Sequence, residues 1–208
     1  ICGYMSNTDG EIVNCENCGN IEMSAWSEQA YAGGIVGFTY GKVENCKNSA
    51  MLSAVNATRP TGDACKHVGL GGIAGIADAG SAFVNCVNES TGALNFQTAV
   101  KILYAGGIAS IVQGSMAAFE NNISAGNIAS TAGARQFLFG GFIGKISADQ
   151  TFVLEGTPFT GAIVVSGYES TASAYAHLGG LIGIATNETT IQATEGKSLE
   201  QKNNIQVM

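Results

Sequence analysis

A glycine pair followed by a short apolar run returns five times along the chain, as GGIVG at Gly33, GGIAG at Gly71, GGIAS at Gly106, GGFIG at Gly140 and GGLIG at Gly179. The intervals between these starts are 38, 35, 34 and 39 residues. ICGY (Ile1 to Tyr4) matches IVGF (Ile35 to Phe38) and adds a sixth copy that lacks the glycine pair. A period of this length constrains the fold more than any other feature, because it marks stacked units that each contact only their neighbours.

A second block follows each glycine pair. It reads IVNCENCGNI from Ile12, VENCKNSAML from Val43, FVNCVNESTGAL from Phe83 and FENNISAGNI from Phe119. It decays to FVLEGTPFTGAI from Phe152 and to TIQATEGKSL from Thr190. The apolar runs are short, rich in Ile, Val and Phe, and bounded by Gly, Asn and Asp, which punctuates strands rather than helices. SAMLSAVNA (Ser49 to Ala57) has some helical propensity but is too short and too poorly capped for a helix.

Several strands per unit predict an all-β, right-handed parallel β-helix of about six coils. The whole chain, 1–208, reads as a single repeat domain, with repeats near 1–32, 33–70, 71–105, 106–139, 140–178 and 179–208. Equivalent residues then stack in columns about 4.8 Å apart. Ile1, Ile35, Ile73, Ile108, Phe142 and Leu181 form an interior column. Gly3, Gly37, Gly75, Ser110, Gly144 and Gly183 form one almost free of side chains, where the sheet bends or another wall comes close. The column of Phe38 admits Lys145 and is expected to be partly exposed.

Composition narrows the function classes. With 46% hydrophobic and 12% charged residues, 29 glycines and 2 prolines, the chain is neither collagen-like nor disordered. GGLIGIA from Gly179 is about one strand long, far below the roughly 18 apolar residues of a membrane helix. A net charge of -7 with only two arginines, Arg59 and Arg135, argues against nucleic acid as a partner. No initiator Met, signal peptide or lipidation motif stands at Ile1, and the chain reads as a piece of a longer exported protein.

GGIVGFTYGKVENCKNSA (Gly33 to Ala50) and ICGYMSNTDGEIVNCENCGNI (Ile1 to Ile21) resemble the GLUG-type repeat, with its Gly-Gly-Leu-Val-Gly core, turn and Ile-Glu-Asn-Cys block. The resemblance covers essentially the whole chain but fades after about residue 145, where the Asn-Cys block is lost. Such repeats occur in large secreted or cell-surface bacterial proteins, including adhesin-like proteins and non-catalytic parts of immunoglobulin-A peptidases. The resemblance implies an extracellular β-solenoid without a chemistry of its own.

The reactive side chains fit that expectation. Cys15, Cys46 and Cys86 share one repeat position, so they are expected as a column of buried free thiols, with Cys2 a further small filler. In-register side chains point the same way, which does not favour bridges between them. Cys18 and Cys65 have no equivalents, and a disulfide at either stays open. CENC from Cys15 is the only CxxC, and His67 and His177 fall in different coils, so neither metal nor cofactor is expected.

Asn-Thr-Asp at Asn7 is shared with β-helical polygalacturonases, but their Asp-Asp pair, Gly-His-Gly and Arg-x-Lys are absent. Asp9, Asp78 and Asp149 read as solvated turn residues. Asn14, Asn45, Asn85 and Asn121 form a column expected to hydrogen-bond along the axis. Sequons at Asn56, Asn88, Asn122 and Asn187 are no more than composition provides.

The variable loops before each glycine pair are the place for recognition, with Trp26, Tyr31, Tyr168 and Tyr175 as residues that either cover the core or contact a glycan or protein. The expected function is a non-catalytic adhesin-like or spacer module at the cell surface. The alternatives are a segment of a surface peptidase, a carbohydrate-active β-helix enzyme, or a filament subunit that associates end to end, with LEQKNNIQ from Leu199 as an end cap.

Overall fold

A computed structural model describes residues 1–24, 28–56, 67–98, 100–131, 134–154, 158–166, 175–195 and 205–208. Every element among them is a β-strand. The strands pair in parallel with the equivalent strands of neighbouring repeats, which makes the chain a β-solenoid of about five turns.

Each of the first four coils passes through five walls. Sheet A stacks Cys2–Met5, Val36–Thr39, Ala74–Ala77, Ala109–Val112, Ile143–Ile146 and Ile182–Ala185. Sheet B stacks Glu11–Val13, Lys42–Glu44, Ala82–Val84 and Ala118–Glu120. Sheet C holds the short strands Glu16–Asn17, Lys47–Asn48, Val87–Asn88 and Ile123–Ser124. Sheet D stacks Ile21–Met23, Leu52–Asn56, Leu94–Thr98, Ile128–Ser130, Ile163–Val165 and Ile205–Val207. Sheet E stacks Gln29–Gly33, His67–Gly71, Ile102–Gly106, Gln136–Gly140 and Tyr175–Gly179. In the last two coils a separate pair, Gln150–Leu154 with Thr189–Ala193, stands in the chain where sheets B and C would continue.

The register reproduces the sequence columns. Cys2 pairs with Val36, and Val36 with Ala74. Ile35, Ile73 and Ile108 are fully buried and Phe142 nearly so, while Ile1 at the open end is 63% exposed. Their backbones bond rung to rung, Ile35 N–H to Ile73 O at 2.9 Å and Ile108 N–H to Phe142 O at 2.9 Å. Sheets C and E are the walls the sequence reading missed, because it assigned the residues after each Asn-Cys to a turn and those before each glycine pair to loops. Strand His67–Gly71 carries a glycine at its centre, and the outward positions hold Tyr, His and Gln, so the alternation of a half-buried strand is blurred.

The interior is divided. One apolar compartment lies between sheets A and B, with Val43, Phe83, Phe119, Phe142 and Phe152. The other lies between sheets D and E, with Leu52, Phe96, Phe137, Phe139 and Phe159. Between them the second glycine of each pair meets the end of sheet C. A Cβ on Gly34 would lie 2.6 Å from Asn48 Oδ1, and one on Gly72 would lie 2.7 Å from Asn88 Oδ1. Gly107 and Gly141 meet Ser124 and Phe159 in the same way. The glycine pair is therefore a waist at which two walls touch, which no side chain would permit.

The Gly37 column marks a second close approach, between the outer faces of sheets E and A. A Cβ on Gly75 would lie 3.1 Å from Ala32 N, and one on Gly183 2.8 Å from Phe139 N. Ser110, the one side chain in that column, donates its hydroxyl to Gly75 O.

Candidate functional site

The concave bend at the waist turns the outer faces of sheets E and A toward each other and makes a groove along the axis. On sheet E the residues at alternate positions, such as Leu103, Ala105, Phe137 and Phe139, point into the core. Tyr31, Tyr104 and Leu138 therefore face outward, and they pack against Phe38, Ile76, Ile111 and Ile184 of sheet A. Lys145 continues that last column, paired in register with Ile111 on one side and Ile184 on the other.

Of the four aromatic residues expected at a recognition surface, Trp26 and Tyr168 lie outside the described residues. Tyr31 is half-buried, and its ring leans over Gly69, where a Cβ would lie 2.6 Å from Tyr31 Cδ1. It reaches Tyr104 with ring centroids 6.5 Å apart, and His67 meets Tyr104 edge-on at 5.8 Å. Burial pushes both phenols up, that of Tyr104 to about 12. Tyr175 is 37% exposed, and its ring stands against His177 at 4.7 Å. Tyr31 thus serves the packing of the groove floor, and Tyr175 stays open to solvent.

The thiol column is built from the corner between sheets B and C. Asn14, Asn45, Asn85 and Asn121 all sit at positive φ, between 51° and 57°, the left-handed region that asparagine tolerates better than other side-chain-bearing residues. The corner turns the next residue inward. Cys46 Sγ donates to Ile12 O at 3.4 Å and Cys86 Sγ to Val43 O at 3.3 Å, each a backbone carbonyl one coil below. In the fourth coil Asn122 takes this place and donates Nδ2 to Phe83 O at 3.0 Å. Cys46 and Cys86 are buried and Cys15 half-buried, and these three, with Cys2 and Cys18, are free thiols. Burial pushes the Cys86 thiol up to about 12, which keeps it protonated. Cys65 lies outside the described residues.

The corner asparagines bond to each other once, Asn85 Nδ2 to Asn45 Oδ1 at 3.0 Å. The continuous amide ladder belongs to residues the sequence reading passed over. Asn17 Nδ2 donates to Asn48 Oδ1 at 2.8 Å, and Asn48 Nδ2 to Asn88 Oδ1 at 2.9 Å. Asn88 Nδ2 then donates to Gly92 O at 2.9 Å. Their shared repeat position, two residues after each cysteine of the column, was the available signal.

The turn acids stay outside. Asp9 N–H bonds Asn7 Oδ1 at 2.9 Å in a local turn, Asp78 accepts from Gln113 Nε2 at 2.8 Å, and Asp149 accepts from the Glu188 N–H at 3.2 Å. Among the described residues no three His, Cys, Asp or Glu side chains converge as a metal site. A recess of about 620 Å³ opens beside the last rung of sheet C, lined by Glu120, Asn121, Ile123, Val153, Leu154 and Thr194. Comparison of the chain with protein-family models, with curated proteins and with solved structures gives no match.

Proposed function

We propose that the chain is a non-catalytic spacer module of an adhesin-like protein at the cell surface, one that sets a distance and presents an outer groove. The observation that carries this reading is the use to which the repeat-defining side chains are put. Cys46, Cys86 and Asn122 close on carbonyls of the coil below, Asn17, Asn48 and Asn88 bond in series along the axis, and the glycines admit backbone to backbone contact. Groups that elsewhere act as nucleophiles or ligands are here committed to holding one coil on the next, a geometry suited to a stiff rod.

Each coil adds about 4.8 Å along the axis. Excision of one repeat, residues 71–105, joins two edges that carry the same columns. The shortened chain is expected to fold with the same strand content by circular dichroism. Its long dimension in solution scattering falls by about 5 Å. A deletion that unfolds the chain, or leaves the long dimension unchanged, overturns the spacer reading.

A further inference from the structure

We infer that the end of the groove formed by coils four to six binds an acidic saccharide, a sugar chain bearing carboxylate or sulfate groups. The inference deepens the adhesin-like part of the proposed function and is independent of the spacer part.

The first observation is a segregation of charge. The chain carries 16 acids and 9 bases, yet no Asp or Glu lies on any strand of sheets E and A. Both histidines, His67 and His177, stand on outward positions of sheet E. The described residues contain five lysines and arginines. Lys42 and Lys47, on sheets B and C, are held by Glu11, Glu44, Glu16 and Glu89 at 2.8–3.4 Å. Of the other three, Lys145 lies on sheet A among the groove residues, while Lys101 and Arg135 directly precede successive strands of sheet E. In a chain of net charge -7, the strands of sheets E and A, free of Asp and Glu and carrying Lys145 and both histidines, are the less negative face, although Glu28 precedes the first strand of sheet E.

The second observation is Lys145 itself. Its column is otherwise Tyr4, Phe38, Ile76, Ile111 and Ile184, the last four packed into the groove. Lys145 is half-buried there and has no ion-pair partner among the described residues. Holding a cation in an apolar column without a partner costs free energy that the column's own isoleucine would avoid. An anion from outside returns that cost.

The third is the aromatic surface beside it. Leu138 of the groove cluster pairs in register with His177, against whose ring the exposed Tyr175 stands. An exposed ring on sheet E and, on sheet A, a cation with no ion-pair partner among the described residues suit a pyranose, whose C–H face packs on the ring while its acid group reaches the ammonium.

The test is calorimetric titration of the purified chain with tetragalacturonate, an O-sulfated tetrasaccharide and neutral cellotetraose, at low salt and in 0.5 M NaCl. The result expected is binding of an acidic probe, no binding of the neutral one, and weakening by salt. Carboxylated and sulfated probes separate the two kinds of acid group. Lys145→Ile should fold normally, since isoleucine occupies that column in coils three, four and six; it should weaken binding by about tenfold or more. Tyr175→Ala should weaken it too, and Lys47→Gln on another wall should leave it unchanged. Amide chemical-shift mapping on the wild-type chain, which needs no variant, should place the changes on Gln136–Gly140, Ile143–Ile146 and Tyr175–Gly179. Failure of both acidic probes, equal binding of the neutral sugar, or full binding by Lys145→Ile overturns the inference. None of these results bears on the scattering test of the spacer reading.

Discussion

The first four coils and the last two share the same parallel rungs in sheets A and D but turn their second corner differently. In the first four, a left-handed asparagine stops sheet B after three residues and points a cysteine or Asn122 inward. In the last two, Leu154 and Ala193 stand at the equivalent place, and the strands Gln150–Leu154 and Thr189–Ala193 run five residues without that corner. The filling changes with it. Ile12, Val43 and thiols give way to Phe142 and Phe152, whose rings meet that of Phe119 in the fourth coil at 5.7 and 5.2 Å. The Asn-Cys signature thus belongs to one corner. What holds a coil is the parallel backbone pairing and its apolar columns, and these survive when the signature is lost.

The sharpest way to break the comparison is at the waist, which both regions need. Gly72→Val drives a side chain into Gly107 O and the Asn88 amide, and should cost more than about 3 kcal/mol or abolish folding in a urea titration. Gly3→Val, with nothing within 4 Å of its Cβ, should stay within about 0.5 kcal/mol of wild type. Asn88→Ala removes the acceptor of Asn48 and the donor to Gly92 O in the first region. A loss of roughly 2–3 kcal/mol is expected by the same titration.

Alkaline pH should also discriminate. An unfolded Cys86 ionises near pH 9, whereas the folded thiol holds its proton to about 12. The unfolded state therefore binds fewer protons in that window, and stability falls as pH rises through it, by about 1.4 kcal/mol per unit. Tyr104, also pushed up to about 12, adds to the fall. Cys86→Ala should flatten the slope measured by denaturation at pH 8 to 10.5 without removing the part due to tyrosine.

Smaller effects sharpen the corner. Asn45→Ala should cost about 1 kcal/mol because alanine resists φ 51°, while Asn45→Gly should recover most of it. Ser124→Ala should be nearly neutral, because the hydroxyl, buried where the amide ladder gives way to Phe159, has no hydrogen-bond partner. Both are read from melting curves.

Much of the fold was legible because a parallel solenoid turns period directly into contact. Once Ile35, Ile73 and Ile108 are aligned in sequence, they are neighbours in space. The thiol column followed for the same reason. Contacts across a coil were not legible, since the meeting of Gly34 with Asn48 depends on how the corners bend between them. The corner asparagines were read as a ladder because αL backbone and stacked amides favour the same residue, and only φ separates the two uses. Tyr31 looked like a loop residue because Gly69 interrupts its column. Lys145 was seen as evidence of exposure, but the acid-free surroundings that give it meaning come from the third dimension.

The waist has a consequence for how the sequence can drift. A seam of backbone and amides separates the compartment of Phe119 from that of Phe96, and among the described residues their buried apolar side chains form distinct clusters. Substitutions on opposite sides should then combine without epistasis. Each lobe is free to explore its own packing while the glycines between them keep its history from reaching the other.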